Sequence, residues 1–211
     1  MKHKLALSLA AVSVILLTGC AASVSTIEPD LSAYSARSDV AAAKTAFIRT
    51  VNDRRVFSAN ASSPDQPTWS NDGTKEEARA IGRKRHGYGM AMGGLVLPEG
   101  MTAAGVVKKT LTQALIENGY KVVESEAEVT PGTYVIDVEM NKFWSWMNPG
   151  LLGFTLSANV GADVADKNAR TVHIEGRYSE GGFQTFMDSN WLKVLNQALK
   201  NFFEDAKAKL K

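Results

Sequence analysis

Three successive stretches alternate apolar and polar residues with a period of two, and this pattern constrains the fold more than any other feature of the chain. In 133–143, Tyr134, Ile136, Val138 and Met140 alternate with Val135, Asp137, Glu139 and Asn141. In 153–165, Phe154, Leu156, Ala158, Val160, Ala162 and Val164 alternate with Thr155, Ser157, Asn159, Gly161 and Asp163. In 170–178, Val172, Ile174 and Tyr178 alternate with Thr171, His173, Glu175 and Arg177. Successive side chains of a strand point to opposite faces, so each run predicts a strand with one face on a core and one facing water or a partner. Asp166-Lys167-Asn168 is a short turn that makes the last two antiparallel neighbours. Ala46–Val51, β-branched and aromatic, predicts a further strand that ends at Asn52-Asp53-Arg54-Arg55.

Two segments switch to helical period. Val106, Val107, Thr110, Leu111, Ala114 and Leu115 recur at spacings of three and four behind Thr102, a suitable N-cap. Asn118-Gly119 supplies the stop, and Tyr120-Lys121-Val122-Val123 follows as a strand. Strand, helix and strand joined so tightly predict a right-handed crossover and a parallel pair. A closing helix is predicted from about Ser189 to Leu210, with Trp191, Val194, Leu195, Ala198, Leu199, Phe202, Phe203, Ala206 and Leu210 on one stripe. Loop residues fill 58–75, and the basic, then glycine-rich 81–94 segment carries no assignment. The expectation is an α+β fold: one two-layer domain over 45–211, a mixed sheet in β-α-β-β-β-β-α order, and two helices on one face.

The N-terminus carries a different signal. Lys2, His3 and Lys4 precede an apolar run from Leu5 to Leu17, which is shorter than the ~20 residues a spanning helix needs. That is the layout of a secretory signal peptide over residues 1–19. Leu17-Thr18-Gly19-Cys20 resembles the bacterial lipobox, which implies cleavage between Gly19 and Cys20 and a diacylglyceryl group on the cysteine sulfur. The chain has one cysteine, so no intramolecular disulfide and no cysteine-cluster metal site is available. Ala21 and Ala22 follow, not the Asp that marks inner-membrane retention in enteric-type bacteria, so the implied address is the periplasmic face of the outer membrane. Residues 20–44, rich in Ser and Ala, are expected to form a lipidated flexible tether. The 24 basic residues against 22 acidic ones become 22 against 22 once Lys2 and Lys4 are removed. Any anion site must therefore be local.

Two local features stand out. Arg83, Lys84, Arg85 and His86, flanked by Gly82, Gly87 and Gly89, read as an anion- or partner-binding loop or as a solvated basic hairpin. Trp144, Trp146, Met147, Leu151 and Leu152 surround the turn Asn148-Pro149-Gly150. An apolar hairpin tip either folds back over the core or is presented to a membrane interface or a protein partner. Catalytic motifs are absent: no Gly-x-Ser-x-Gly, no His-Glu-x-x-His and no free cysteine nucleophile. Asp137 and Glu139, with Asp163 and Glu175 on neighbouring strands, are carboxylates of the kind a solvated sheet face carries anyway. His173 is expected as a cross-strand surface partner. No metal, no cofactor and no nucleic-acid partner is expected.

The lipobox, the strand leading into Asn52-Asp53-Arg54-Arg55, Leu97-Pro98-Glu99-Gly100 before the first helix, Gly119-Tyr120-Lys121-Val122 after it, and Phe143-Trp144-Ser145-Trp146 together resemble the YajG-type bacterial lipoproteins. The resemblance spans roughly residues 15–200 and implies an envelope lipoprotein without catalytic residues. The expected function is a lipid-anchored, non-enzymatic binding or structural module of the cell envelope. Its partners would be the membrane, through Cys20, and an envelope protein or a peptidoglycan or lipid component. An accessory of lipid or envelope transport is the alternative, and an envelope hydrolase the third.

Overall fold

A computed structural model describes residues 24–34, 44–59, 61–68, 74–85, 91–150, 153–183 and 187–211. The expected signal peptide with Gly19 and Cys20, as well as His86, Leu151 and Leu152, lies outside the described residues. The strands are β1 (Ser25–Thr26), β2 (Lys44–Asp53), β3 (Ala80–Arg85), β4 (Ala91–Val96), β5 (Tyr120–Val123), β6 (Tyr134–Gly150), β7 (Gly153–Asp166) and β8 (Thr171–Phe183). The helices are α1 (Thr74–Arg79), α2 (Ala103–Glu117) and α3 (Asp188–Lys209). The fold is α+β, with α2 and α3 packed together on one face of a curled, mixed eight-stranded sheet. The anticipated order is present, with β1, β3, β4 and the short α1 in addition.

Strand β6 is the spine. One edge pairs along its whole length with antiparallel β7, which in turn pairs with β8. The other edge is shared: β2 runs parallel to its first half, from Ala46↔Tyr134 to Asp53↔Met140, and β3 joins it at Gly82↔Ser145. Beyond β2 lies β5, parallel as the crossover predicts, and beyond β3 lie β4 and β1. The α2 helix is capped as expected, the Thr102 hydroxyl accepting from the Gly105 N–H at 3.1 Å.

Between the two parts of the shared edge, β6 has no strand partner on that side, and Arg55 fills the fork. Its guanidinium donates to the carbonyls of Phe143 (3.1 Å), Glu77 (2.8 Å) and Ala80, and pairs with Asp53 at 2.6 Å. A buried carbonyl left without a donor costs about 1–3 kcal/mol, so one side chain here satisfies carbonyls of β6, β3 and α1 together.

The inner face is apolar and continuous. Ile136, Val138, Met140, Phe143 and Met147 of β6 pack with Val160, Ala162 and Ile174 against Val106, Leu111, Trp191, Leu195 and Phe202 of the helices. The long helix α3 lies on β8 backbone to backbone. A Cβ on Gly176 would stand 2.1 Å from the Phe202 nitrogen and 2.2 Å from the Ala198 carbonyl oxygen, so only glycine admits the helix there.

Residues 24–34 correct the expected tether. Strand β1 pairs with β4, Ile27 and Tyr34 are buried in the main core, and the Asp30 N–H donates to Asn196 of α3 at 3.0 Å. Tyr34 packs on Phe203 with ring centroids 5.3 Å apart, and burial pushes its phenol up to about 12. The reason is the edge: β4 would otherwise expose an unpaired ladder, and the short Ser-Thr segment covers it.

Candidate functional site

The basic segment is not a loop of converging charges. Arg83, Lys84 and Arg85 lie in β3, where alternation sends neighbours to opposite faces. The Lys84 ammonium is buried on the helix side, bonded to the Ser25 hydroxyl and 3.5 Å from Asp188 at the start of α3. Arg85 reaches Thr68 at 3.2 Å on the other side. Arg83 is half-buried, and desolvation together with Arg85 lowers its pKa. The three side chains therefore form no common anion cradle.

The tryptophans likewise leave the hairpin tip, because β6 runs on to Gly150 and holds them within the strand. Met147 (1% exposed) faces the main core, while Trp144 (3%) and Trp146 (5%) face the opposite side with Ala80 and Phe57. The segment after β2 covers them. Phe57 meets Trp144 edge-on at 6.0 Å, and the Trp144 indole N–H donates to the Pro64 carbonyl at 3.2 Å. Of the two readings of this apolar hairpin, burial holds for these three residues.

Trp144 and Trp146 instead help to wall a cleft of about 160 Å³ on the outer face of the sheet, with Asn141, Lys142, Asn159, Arg177, Asp65 and Pro67. Its layout follows from the register. Four cross-strand rows stand side by side: Glu139, Asp163 and His173; Lys142, Gly161 and Glu175; Trp144, Asn159 and Arg177; Trp146, Ser157 and Ser179. Between the first two rows a bulge at Asn141 adds one residue to β6 and re-aims its side chain. Where Gly161 leaves a gap, Lys142 crosses it to Glu175 at 2.7 Å. Arg177 lies over the Trp146 ring, 5.5 Å from the centroid.

Two asparagine amides are fixed in this wall. Asn141 donates to Asp163 at 2.9 Å and Asn159 donates to Glu175 at 2.9 Å. An ionised carboxylate only accepts, so each NH₂ must face its carboxylate and each carbonyl oxygen must face away. Both carbonyl oxygens, Asn141 Oδ1 and Asn159 Oδ1, are buried and accept no hydrogen bond. His173 Nδ1 stands 2.7 Å from Asp163, the cross-strand pairing expected of it.

The carboxylates on this face are held in their charged form. The Lys142 ammonium and the Asn159 amide lower the pKa of Glu175. Arg49 does the same for Asp137, and Arg54 with Asn52 for Glu139. Arg49 and Arg54 also make direct ion pairs with these two. The site thus offers aromatic faces and fixed charges beside two buried amides, and the Asp137, Glu139 and Glu175 carboxylates lean away from the protonated state. Sequence reading had Trp144 and Trp146 but missed Asn141, Lys142, Asn159 and Arg177. One signal was present for Asn141: the apolar phase runs 134, 136, 138, 140 and then jumps to Phe143, the mark of an inserted residue.

A second concavity, about 460 Å³, lies between residues 30–34 and α3 and includes Tyr34, Phe203, Lys193 and Lys200. Strands β3 and β6 meet without a gap at Gly82 and Ser145, which pair directly. A Cβ on Gly82 would lie 2.6 Å from the Ser145 carbonyl oxygen.

No family model and no curated protein matches the chain. Among solved structures, it is similar to an uncharacterized protein at 8% identity, covering 90% of this chain and 98% of that one, with a TM-score of 0.45. It is also similar to a Xanthomonas campestris protein described by the family model DUF330, at 11% identity, 89% and 93% coverage and a TM-score of 0.42.

Proposed function

We propose that this chain is a lipid-anchored, non-enzymatic binding module of the bacterial envelope, tethered through Cys20 at the periplasmic face of the outer membrane and binding its partner at the outer-face cleft. The resemblance to YajG-type lipoproteins belongs to this proposal, as do the signal peptide and the lipobox. Among the described residues no helix is long and apolar enough to cross a membrane.

The observation that carries the binding role is the cleft in which two indole rings stand beside exposed Lys142 and Arg177 and the Asn141 and Asn159 amides. Aromatic walls with a few polar and charged groups are the usual make-up of a ligand site. Sugar hydroxyls and the carboxylates of peptidoglycan peptides suit these cations, and indole faces suit the apolar faces of sugar rings. The hydrolase alternative asks for a carboxylic acid with a raised pKa, whereas Asp137, Glu139 and Glu175 are all lowered.

Two measurements test this reading. Cys20→Ala moves the protein from the membrane to the soluble fraction; unchanged membrane fractionation refutes the anchor. Titration of the protein with soluble peptidoglycan fragments perturbs the indole fluorescence, and Arg177→Ala weakens that binding about tenfold, the worth of one charge-assisted hydrogen bond. Equal binding by the variant refutes the cleft.

A further inference from the structure

The docked N-terminal segment changes what a lipid on Cys20 does to the domain. Ser25 is already in the sheet, so it stands only five residue steps from Cys20, not twenty-five. Even fully extended they reach about 17 Å. Strand directions then fix which end of the domain meets the bilayer. Strand β3 runs parallel to β6, β4 antiparallel to β3, and β1 parallel to β4. The chain preceding Ser25 therefore leaves toward the end where β6 finishes.

Through Leu95 and Gly82, Ser25 is level with Ser145. From Ser145 to Gly150 is again five residues, about 17 Å of strand projecting the same way. The β6–β7 hairpin thus extends toward the membrane about as far as the leash itself allows. The start of α3 lies at this end too, because β8 runs parallel to β6 through two antiparallel steps and Asp188 contacts Lys84. Two of the large apolar side chains that the fold leaves exposed are here, Val24 (55%) and Met187 (58%).

We infer that this end of the domain, formed by Val24, Met187 and the β6 terminus at Asn148–Gly150, rests on the lipid surface that holds the anchor. This rests on the lipidation reading above. The domain then stands upright on the bilayer, with the Lys167–Asn168 turn at the far end. Ile136 pairs with Asp166 beside that turn, so about 45–50 Å of strand separates the turn from Gly150. The cleft at Lys142–Trp146 sits within about 30 Å of the headgroups and opens sideways.

The full lipidated chain in phosphatidylethanolamine–phosphatidylglycerol vesicles tests this. With Cys20 acylated, an introduced cysteine is the single free thiol for a fluorophore. Asn148→Cys and Met187→Cys are expected to be quenched at least threefold more by headgroup-labelled lipid than Asn168→Cys. Equal quenching at both ends, with the protein floating on the vesicles, overturns the orientation while leaving the anchor intact. Failure of the chain to float overturns the anchor, and the orientation with it. Two reporters at the near end on different elements, both exposed, guard against one misfolded variant.

Discussion

The two faces of β6 use one backbone in opposite ways. Toward the helices, Ile136, Val138, Met140, Phe143 and Met147 form an unbroken apolar row within the main core. On the other face the row changes character at the Asn141 bulge. Before it stand Asp137 and Glu139, ion-paired to Arg49 and Arg54 in the open. After it stand Trp144 and Trp146, buried beneath Phe57 and Pro64. An inner face is specified wholly by what it packs on. An outer face is specified locally, by whether a loop happens to cover it, and the cleft forms at the border between the covered and open parts.

The sharpest way to break this contrast is on the inner face. Phe143→Ala should cost about 3–5 kcal/mol, because the space is enclosed by helix and sheet and cannot collapse; chemical denaturation reads this directly. Gly176→Ala should cost about 3 kcal/mol, since the new methyl meets α3 backbone and not a mobile side chain. Trp144→Ala should cost less, about 2 kcal/mol, because the 54–68 segment covering it can settle into the gap. A loss as large as that of Phe143→Ala would show that the outer cluster is a second true core.

The open half of the outer face should respond to pH more than to mutation. Asp137, Glu139 and Glu175 titrate lower in the folded chain than their ordinary values of 3.8 and 4.5. Their contribution is therefore present above those values and is lost as pH falls through the lowered folded ones. Denaturation midpoints should drop as pH goes from about 5 to 3. Arg49→Ala should leave stability at neutral pH within error, as exposed ion pairs contribute little, yet flatten part of that acid dependence. An unchanged acid profile would mean the Arg49–Asp137 pair is not formed in solution.

Much of this was legible in the residues. The three alternating runs became β6, β7 and β8, the Thr102 cap and the Asn118-Gly119 stop bounded α2, and the closing stripe became α3. Each of these rests on a periodicity that one element repeats along its own length. Arg55, by contrast, looked like the polar end of a strand, and its partners lie at residues 77, 80 and 143. Arg83–Arg85 read as a cluster because sequence adjacency hides the alternation of β3, and glycines at 82 in β3 and at 93 and 94 in its partner β4 mask the strand period.

The sequence by itself determined the elements and the inner face, since local periodicity needs no knowledge of distant chain. Only the tertiary structure decided that residues 24–34 belong to the sheet, that the tryptophans are covered, and that Asn141 and Asn159 share one wall. Those facts depend on pairings between segments tens of residues apart. Such pairings are set by the competition of whole strands for edges, and no local pattern records its outcome.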